Sequence, residues 1–329
     1  MVGRPRQGAI VVVGSYNRDI GIRLDRFPTP GETILAQGLA TAHGGKGSNQ
    51  AVQAARCGAT VAMVAAVGTD AEGDAALALW SEETIDARAV RRIPGQPTGT
   101  AVILVEDGGE NQIVVVPGAN AALDEPAVAQ AAAAGLFDGA ALVVAQLETP
   151  VEAALAAFAV GRAAGARCLL NIAPASAGIP AALVAAADIV IANEGEAAIA
   201  TGLPAEAGGA RLCLALRDAL RDGATAIVTV GADGAWLAGP EAPSGRHAPA
   251  LSVQAVDATG AGDAFVGTFA AHLAAGGTMA DALQAGVVAG SLACQSRGAV
   301  PSLPGHADIA AALIRRNKAA SRNQEETTP

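Results

Sequence analysis

Six short runs of apolar, largely β-branched residues punctuate the chain, at 10–13, 61–67, 141–146, 168–172, 189–192 and 226–230, with Ala- and Leu-rich stretches between them. Strands that are apolar throughout, rather than on alternate residues, are covered on both faces, and strands that alternate with helices join in parallel. The pattern predicts an α/β body with a parallel sheet between two layers of helix. Ligands in such sheets bind beyond the carboxyl ends of the strands. The polar clusters of this chain follow these runs or open helices, where that rule places a site.

Two stretches break the rhythm. Residues 20–43 contain Phe27-Pro-Thr-Pro-Gly-Glu32, and residues 98–116 read as two strands about the turn Glu106-Asp-Gly-Gly-Glu-Asn111. Together they predict a small antiparallel sheet inserted in the body, suited either to closing over a site and excluding water or to pairing two copies of the chain. The Ala-rich patches at 127–134 and 181–187 read as helix. Beyond Arg315 the chain is polar and lacks an apolar stripe, so it is expected to fray.

Composition narrows the function classes. The chain has 51% hydrophobic but only 2% aromatic residues, so its core must come mainly from Ala, Val, Leu and Ile. A net charge of −10 offers no basic field to a nucleic acid, and any anionic ligand must be met by local donors. Cys57, Cys168, Cys213 and Cys294 are scattered, without metal or disulfide spacing, which fits a reducing compartment. No apolar run has membrane-spanning length, and a soluble cytoplasmic protein is expected.

The chemistry-bearing strings are rich in glycine. Asp257-Ala-Thr-Gly-Ala-Gly-Asp263 runs straight into an apolar helical stretch, placing a carboxylate in the first turn of a helix opened by glycines. Free N–H groups and the helix dipole there favour a transferring phosphoryl group, with Asp263 able to take the proton of an attacking hydroxyl; an ordinary strand-to-helix turn reads the same way. His43-Gly-Gly-Lys-Gly-Ser-Asn49 is not a Walker A loop, because Gly47 stands where Ser or Thr is needed after the lysine. Its glycines still admit a polar ligand close to the backbone, with Lys46 and Asn49 as donors.

Asn17 and Asp19, two residues apart after the first run, share a face if the chain stays extended, which suits a diol; an Asx turn is the alternative. Glu148 follows another run and suits either substrate binding or a helix cap. Asn193 and Glu196 stand at i and i+3, a pair that suits hydrated magnesium or a capping box equally. Thr229-Val-Gly-Ala-Asp-Gly234 is a further turn able to present amides to phosphates. The four histidines show no catalytic or metal spacing and read as surface or packing residues.

Taken in order, several of these strings resemble the ribokinase family of sugar kinases over residues 8–312. They are Gly14 to Asp19, Phe27 to Glu32, Gly44 to Ala51, Pro117 to Ala122, Gln146 to Glu148, Asn171 to Ala175, Asn193 to Glu196, Asp257 to Asp263 and Gly298 to Ser302. The resemblance implies a three-layer α/β sandwich with a mostly parallel central sheet, helices on both faces and a small inserted β-sheet lid. The body would comprise 1–14, 44–97 and 120–314, the lid 15–43 and 98–119, and the flexible tail 315–329.

It further implies ATP-dependent phosphorylation of ribose at O5. Asp263 would be the base, Gly260, Ala261 and Gly262 the anion hole, and Asn17, Asp19, Gly44, Gly45, Lys46, Asn49 and Glu148 the sugar site. ATP would lie over Asn193, Thr229, Gly231, Ala232, Asp233, Gly234 and Gly262, with Val287 near the adenine. Glu196 and Asn193 would steer magnesium through water. A monovalent cation, usually potassium, would bind at Asp257, Thr259, Ala293, Ser296, Gly298 and Ser302, and a homodimer would form through the lid. Ser48, Ile172 and Ala192 depart from residues frequent in the family, and none of the three removes a functional side chain. Deoxyribose, fructose or a nucleoside as acceptor, or a non-catalytic sugar sensor, are the competing expectations; a nucleoside site would need aromatic stacking, and the chain has one tyrosine and five phenylalanines.

Overall fold

The computed structural model describes residues 8–108, 110–175 and 178–326, with side chains through Lys318. Residues 1–7 and 176–177 of the expected body, Gly109 of the expected turn and 327–329 of the expected tail lie outside the described residues. In chain order the elements are β1 (Ala9–Val13), β2 (Asn17–Leu24), β3 (Gly38–Gly44), α1 (Lys46–Arg56), β4 (Val61–Val64), β5 (Ala66–Gly68), α2 (Ala71–Glu82), β6 (Arg91–Ile93), β7 (Thr100–Glu106) and β8 (Asn111–Val116). There follow α3 (Glu125–Ala133), β9 (Ala140–Ala145), α4 (Val151–Ala163), β10 (Arg167–Asn171), α5 (Ala181–Ala186), β11 (Ile189–Asn193), α6 (Glu194–Thr201), α7 (Gly209–Asp218) and β12 (Thr225–Thr229). The last elements are β13 (Ala235–Gly239), β14 (Ala242–Ala248), α8 (Ala261–Ala274), α9 (Met279–Ala293) and α10 (His306–Glu326).

The central sheet has eight strands in the order β14-β13-β12-β11-β10-β9-β1-β4. From β4 to β12 every pairing is parallel, and β13 and β14 add an antiparallel edge. Each parallel strand is apolar on both sides because each side meets a helical layer. Ile10, Val12, Leu142, Val144, Leu169 and Ile227 pack with α1, α2, α8, α9 and α10, while Val11, Val13, Val143, Cys168, Leu170 and Val228 pack with α3 to α7. The result is the expected three-layer α/β sandwich.

Alanine and glycine let the helices approach closely. α8 lies between α1 and α9, and at Gly267 an added Cβ would sit 2.6 Å from the carbonyl oxygen of Gln50 and 2.6 Å from Gln53 Cβ. Only a residue without a side chain permits that crossing of α8 over α1.

The structure corrects three details of the sequence reading. The run at 61–67 is two strands, since β5 leaves the central sheet and pairs in parallel with β6; unbroken apolarity does not register the change of direction. The inserted sheet, in the order β3-β2-β7-β8, is mixed rather than antiparallel, because β2 and β7 run side by side in parallel. Both segments leave the body at one place. Arg18 N–H donates to Gly99 O at 2.7 Å, and the Asn120 side chain accepts from Tyr16 N–H at 3.1 Å and donates to Tyr16 O at 2.9 Å. Two chains starting together run outward together, and each then returns as a hairpin. Finally, α10 continues past Arg315 to Glu326 where a fraying tail is expected. Ile309 and Ala312 dock its first turns, and extending an established helix costs far less than starting one.

Among the described residues, no helix is long and apolar enough to cross a membrane.

Candidate active site

β4 and β9 flank β1 on opposite sides, so the order of the sheet reverses there, and the carboxyl ends of β1, β9 and β10 open onto a common cleft. α8 enters this cleft with its amino end. Gly260 precedes it in the left-handed region at φ 80°, and Asp263 occupies its first turn. Among the described residues, the N–H groups of Gly260, Gly262 and Asp263 have no acceptor, whereas Ala261 N–H donates to Ala258 O at 3.2 Å. Of the three amides expected to form an anion hole, Ala261's is therefore committed within its own turn, and the free donors are those on either side of it and Asp263's own.

Asp263 is 8% exposed. Asn49 Nδ2 donates to its Oδ2 at 2.8 Å and Gln50 Nε2 to its Oδ1 at 2.9 Å. Burial pushes its proton affinity up, opposed by the Lys46 ammonium and by these two amides. This is a carboxylate held in one orientation beside free helix-start donors, at a basicity above that of an exposed aspartate.

The residues expected to bind sugar gather on the same side. Asn17 and Gly44 face each other across the β2–β3 pairing. Gly44 leaves the space that Asp19 fills: a Cβ there would lie inside the Asp19 carboxylate, against both oxygens and Cγ. Glu148 does not cap α4, whose cap position is Pro150 without a side-chain bond. Instead its Oε2 accepts from Ser15 Oγ and from Lys46 N–H at 3.0 Å, fixing β1, the amino end of α1 and the β9 loop together. Asp19 is pushed up to about 7, first by burial and then by the charges of Glu148 and Asp263. For Lys46, burial works against the ammonium, yet Asp263, Glu148, Glu196 and Asp19 outweigh it and hold its proton above the usual lysine range. Four carboxylates thus act on one ammonium within a small cleft.

Asn193 and Thr229 sit side by side at the ends of β11 and β12, in register. The turn Gly231, Ala232 and Asp233 is exposed, while Gly234 is buried. Asn193 and Glu196 form a complete capping box, Asn193 Oδ1 accepting from Glu196 N–H and Glu196 Oε2 from Asn193 N–H, both at 2.8 Å. Burial raises Glu196, with Lys46 acting against it. Val287 is buried on α9, packed in the core rather than opened to the cleft.

A third group closes behind the start of α8. Asp257 Oδ1 accepts from Thr259 N–H at 2.9 Å and Thr259 Oγ1 at 2.7 Å, and its Oδ2 accepts from Gly298 N–H at 2.9 Å. Burial opposes ionisation of Asp257, but these donors prevail and hold it below the usual carboxylate range. Ser302 Oγ lies 3.5 Å from Thr259 O, and Ser296 N–H bonds Ala293 O at 3.3 Å, so all six expected residues lie on segments that meet here. One ionised carboxylate among carbonyls and hydroxyls is a donor set that fits a hard monovalent cation, although the Arg297 guanidinium also acts on Asp257. Among the described residues, no group of three or more His, Cys, Asp or Glu side chains could hold a metal ion.

Gln50, Gln146 and Asn171 were missed by the sequence reading. They form a buried amide series ending on Asp263: Gln146 Nε2 donates to Gln50 Oε1 at 2.7 Å, and Gln50 Nε2 to Asn171 Oδ1 at 3.0 Å. The signal was present in the sequence, since Gln146 ends one apolar run and Asn171 interrupts another, where a buried polar side chain needs a partner. Their partner is 96 to 121 residues away in the chain, beyond the reach of local pattern.

The chain is similar to known carbohydrate kinases. A family model described as pfkB family carbohydrate kinase matches residues 7–305. The chain is 38% identical over 280 residues to a ribokinase of Mus musculus, spanning 83% of this chain and 85% of that one. It is 32% identical over 297 residues to a deoxyribokinase of Salmonella typhi, spanning 90% and 95%. A solved structure of Arabidopsis thaliana ribokinase complexed with ribose and ATP superposes with a TM-score of 0.82 at 30% identity, over 92% of this chain and 97% of that one.

Proposed function

The chain belongs to the pfkB family of carbohydrate kinases, and from that premise we propose that it transfers the γ-phosphoryl group of ATP to O5 of D-ribose, giving D-ribose 5-phosphate and ADP. The observation that carries the mechanism is Asp263: a buried carboxylate, oriented by Asn49 and Gln50, beside the unpaired N–H groups that open α8.

Asn17, Asp19, Gly44, Gly45, Lys46, Asn49 and Glu148 hold the sugar, with the carboxylates accepting from hydroxyls and Lys46 and Asn49 donating to them. Asp263 accepts the proton of the 5-hydroxyl as the O5–P bond forms and the bond from the γ-phosphorus to the bridging oxygen of ADP breaks. The N–H groups of Gly260 and Gly262 meet the equatorial oxygens, the Ala261 amide being engaged elsewhere. Positioning and fixed electrostatics supply most of the rate, as is general for phosphoryl transfer. The nucleotide lies along Asn193, Thr229 and the turn 231–234, with Val287 forming core beneath the adenine rather than a contact surface. Glu196 and Asn193 are the groups available to orient a magnesium ion, which neutralises phosphate charge when bound. The segments of Asp257, Thr259, Ala293, Ser296, Gly298 and Ser302 hold a potassium ion, which adds positive field near the anion hole.

The inserted sheet serves as the lid. Its outer strand β8 exposes Ile113, Val114, Val115 and Val116, each at least 45% accessible, and an apolar edge strand of this kind suits pairing with a second copy.

The decisive assay is coupled ADP release with magnesium-ATP and D-ribose, deoxyribose, fructose or adenosine, with and without potassium. Ribose-dependent, potassium-stimulated turnover is the expected result. Faster turnover of deoxyribose, the reading favoured by the Salmonella typhi relative, keeps the mechanism and moves the substrate. Silence with all four acceptors, together with ribose binding, makes the chain a sensor.

A further inference from the structure

Gln50 is 1% exposed, one residue beyond Asn49 on α1, and its carboxamide is fully bonded: Nε2 to Asp263 Oδ1 and Asn171 Oδ1, Oε1 to Gln146 Nε2. The direction of these bonds is set from outside the site. Asn171 Nδ2 donates at 3.1 Å to the backbone carbonyl of Ile191, a group that can only accept. Asn171 must therefore turn Oδ1 toward Gln50. Gln50 must answer with its NH2 group, whose second hydrogen then reaches Asp263. Its Oε1 is left facing Gln146, which supplies an N–H. A reversed Gln50 amide would set oxygen against the oxygens of Asp263 and Asn171 at once.

We propose that Gln50 is a positioning residue for Asp263, its amide kept the right way round by Asn171. The inference rests on Asp263 being the base. Gln50 pins Oδ1 while Asn49 pins Oδ2, so the carboxylate cannot rotate about its Cβ–Cγ bond, and its free lone pairs keep one heading toward the cleft. The same N–H favours the ionised form against burial, which is the state a proton acceptor needs. Asn49 belongs to the expected sugar site. Gln50 is spent on two buried amides and Asp263, so it acts through Asp263 rather than on the sugar.

The test compares Gln50→Met, Gln50→Glu and Asp263→Asn by kcat, ribose KM, the pH dependence of kcat, and thermal midpoint. Gln50→Met removes the donor at similar volume. It is expected to lower kcat about 10- to 100-fold, the scale of one hydrogen bond to a charged group, with KM within about threefold. The acidic limb of kcat should move up by about one pH unit, since the base loses a donor that favoured its charged form. Gln50→Glu sets a second carboxyl against Asp263, so the pair shares a proton and the limb moves up further. A merely structural role for Gln50 would lower the thermal midpoint and leave the limb where it is in both variants; that result overturns the proposal. If Gln50→Met does not accumulate folded, Gln50→Glu, equal in volume and able to keep the contact by sharing a proton, decides by the same limb. Asp263→Asn separates the two levels. Near-full turnover there removes the base assignment and this inference with it, whereas an inactive Asp263→Asn beside unmoved limbs removes this inference alone.

Discussion

Gly44→Ala tests whether the Asp19 carboxylate grips the substrate. The new Cβ would fall more than about 1 Å inside ordinary contact distance of both Asp19 oxygens and Cγ. Gly44 lies at the end of a regular strand, so the backbone accepts alanine, and the three nearest atoms in the way belong to the tip of one side chain. Rotating that tip off its preferred angle costs about 0.5–1.5 kcal/mol, so the fold should lose little. The loss falls on binding. A hydrogen bond to a charged group is worth about 1.5–3 kcal/mol, and displacing the carboxylate breaks at least one, which is about 10- to 100-fold in ribose affinity. A ribose titration in the ADP-release assay should show KM raised on that scale, kcat at saturation within a few-fold, and a nearly unchanged thermal midpoint. The double variant sharpens the argument. With Asp19→Ala already in place, the three nearest atoms are gone, so Gly44→Ala should add little further loss. An unchanged KM in the single variant, or equal losses in both backgrounds, refutes the reasoning.

Four further outcomes follow from the site. Asp263→Asn should cut kcat by about 10² or more, the scale of a lost general base, while calorimetric ribose binding persists. Asp19 stands at about 7 in the fold, so kcat/KM for ribose should climb as pH rises toward 7 and level off above it; a flat profile from pH 5.5 to 8 rejects an ionised Asp19 as the sugar acceptor. The same shift lowers ligand-free stability with rising pH. The unfolded chain releases this proton near pH 4 and the folded chain near 7, so thermal midpoints of wild type should fall more than those of Asp19→Asn between the two. Asp257→Ala should abolish stimulation by potassium chloride over choline chloride while leaving ribose KM nearly unchanged; retained stimulation moves the cation elsewhere.

The central sheet was legible because six strands are apolar on both faces, a pattern with few other uses. β14 was not, since Ala-Pro-Ser-Gly-Arg-His-Ala at the sheet edge carries no such mark. The parallel β2–β7 pair escaped for a different reason: strand direction depends on where two distant segments leave the body, and Asn120 does that fastening from 103 or 104 residues away. Within the site, Asp263 and Asp19 announced themselves through short motifs. The commitment of the Ala261 amide, the capping box of Asn193 and Glu196, and the series through Gln50 are matters of hydrogen-bond partner, which spacing leaves open.

The tight crossing at Gly267 has a bearing on how variation in such a chain should be read. Gly267 is one helical turn beyond Asp263, and the backbone it presses against carries Asn49 and Gln50. A methyl group there would push the two helices apart and draw both amides away from the carboxylate, without altering any residue near a ligand. A population screen that ranks substitutions by distance from the substrate would score this position as harmless, and would misread an inactivating allele.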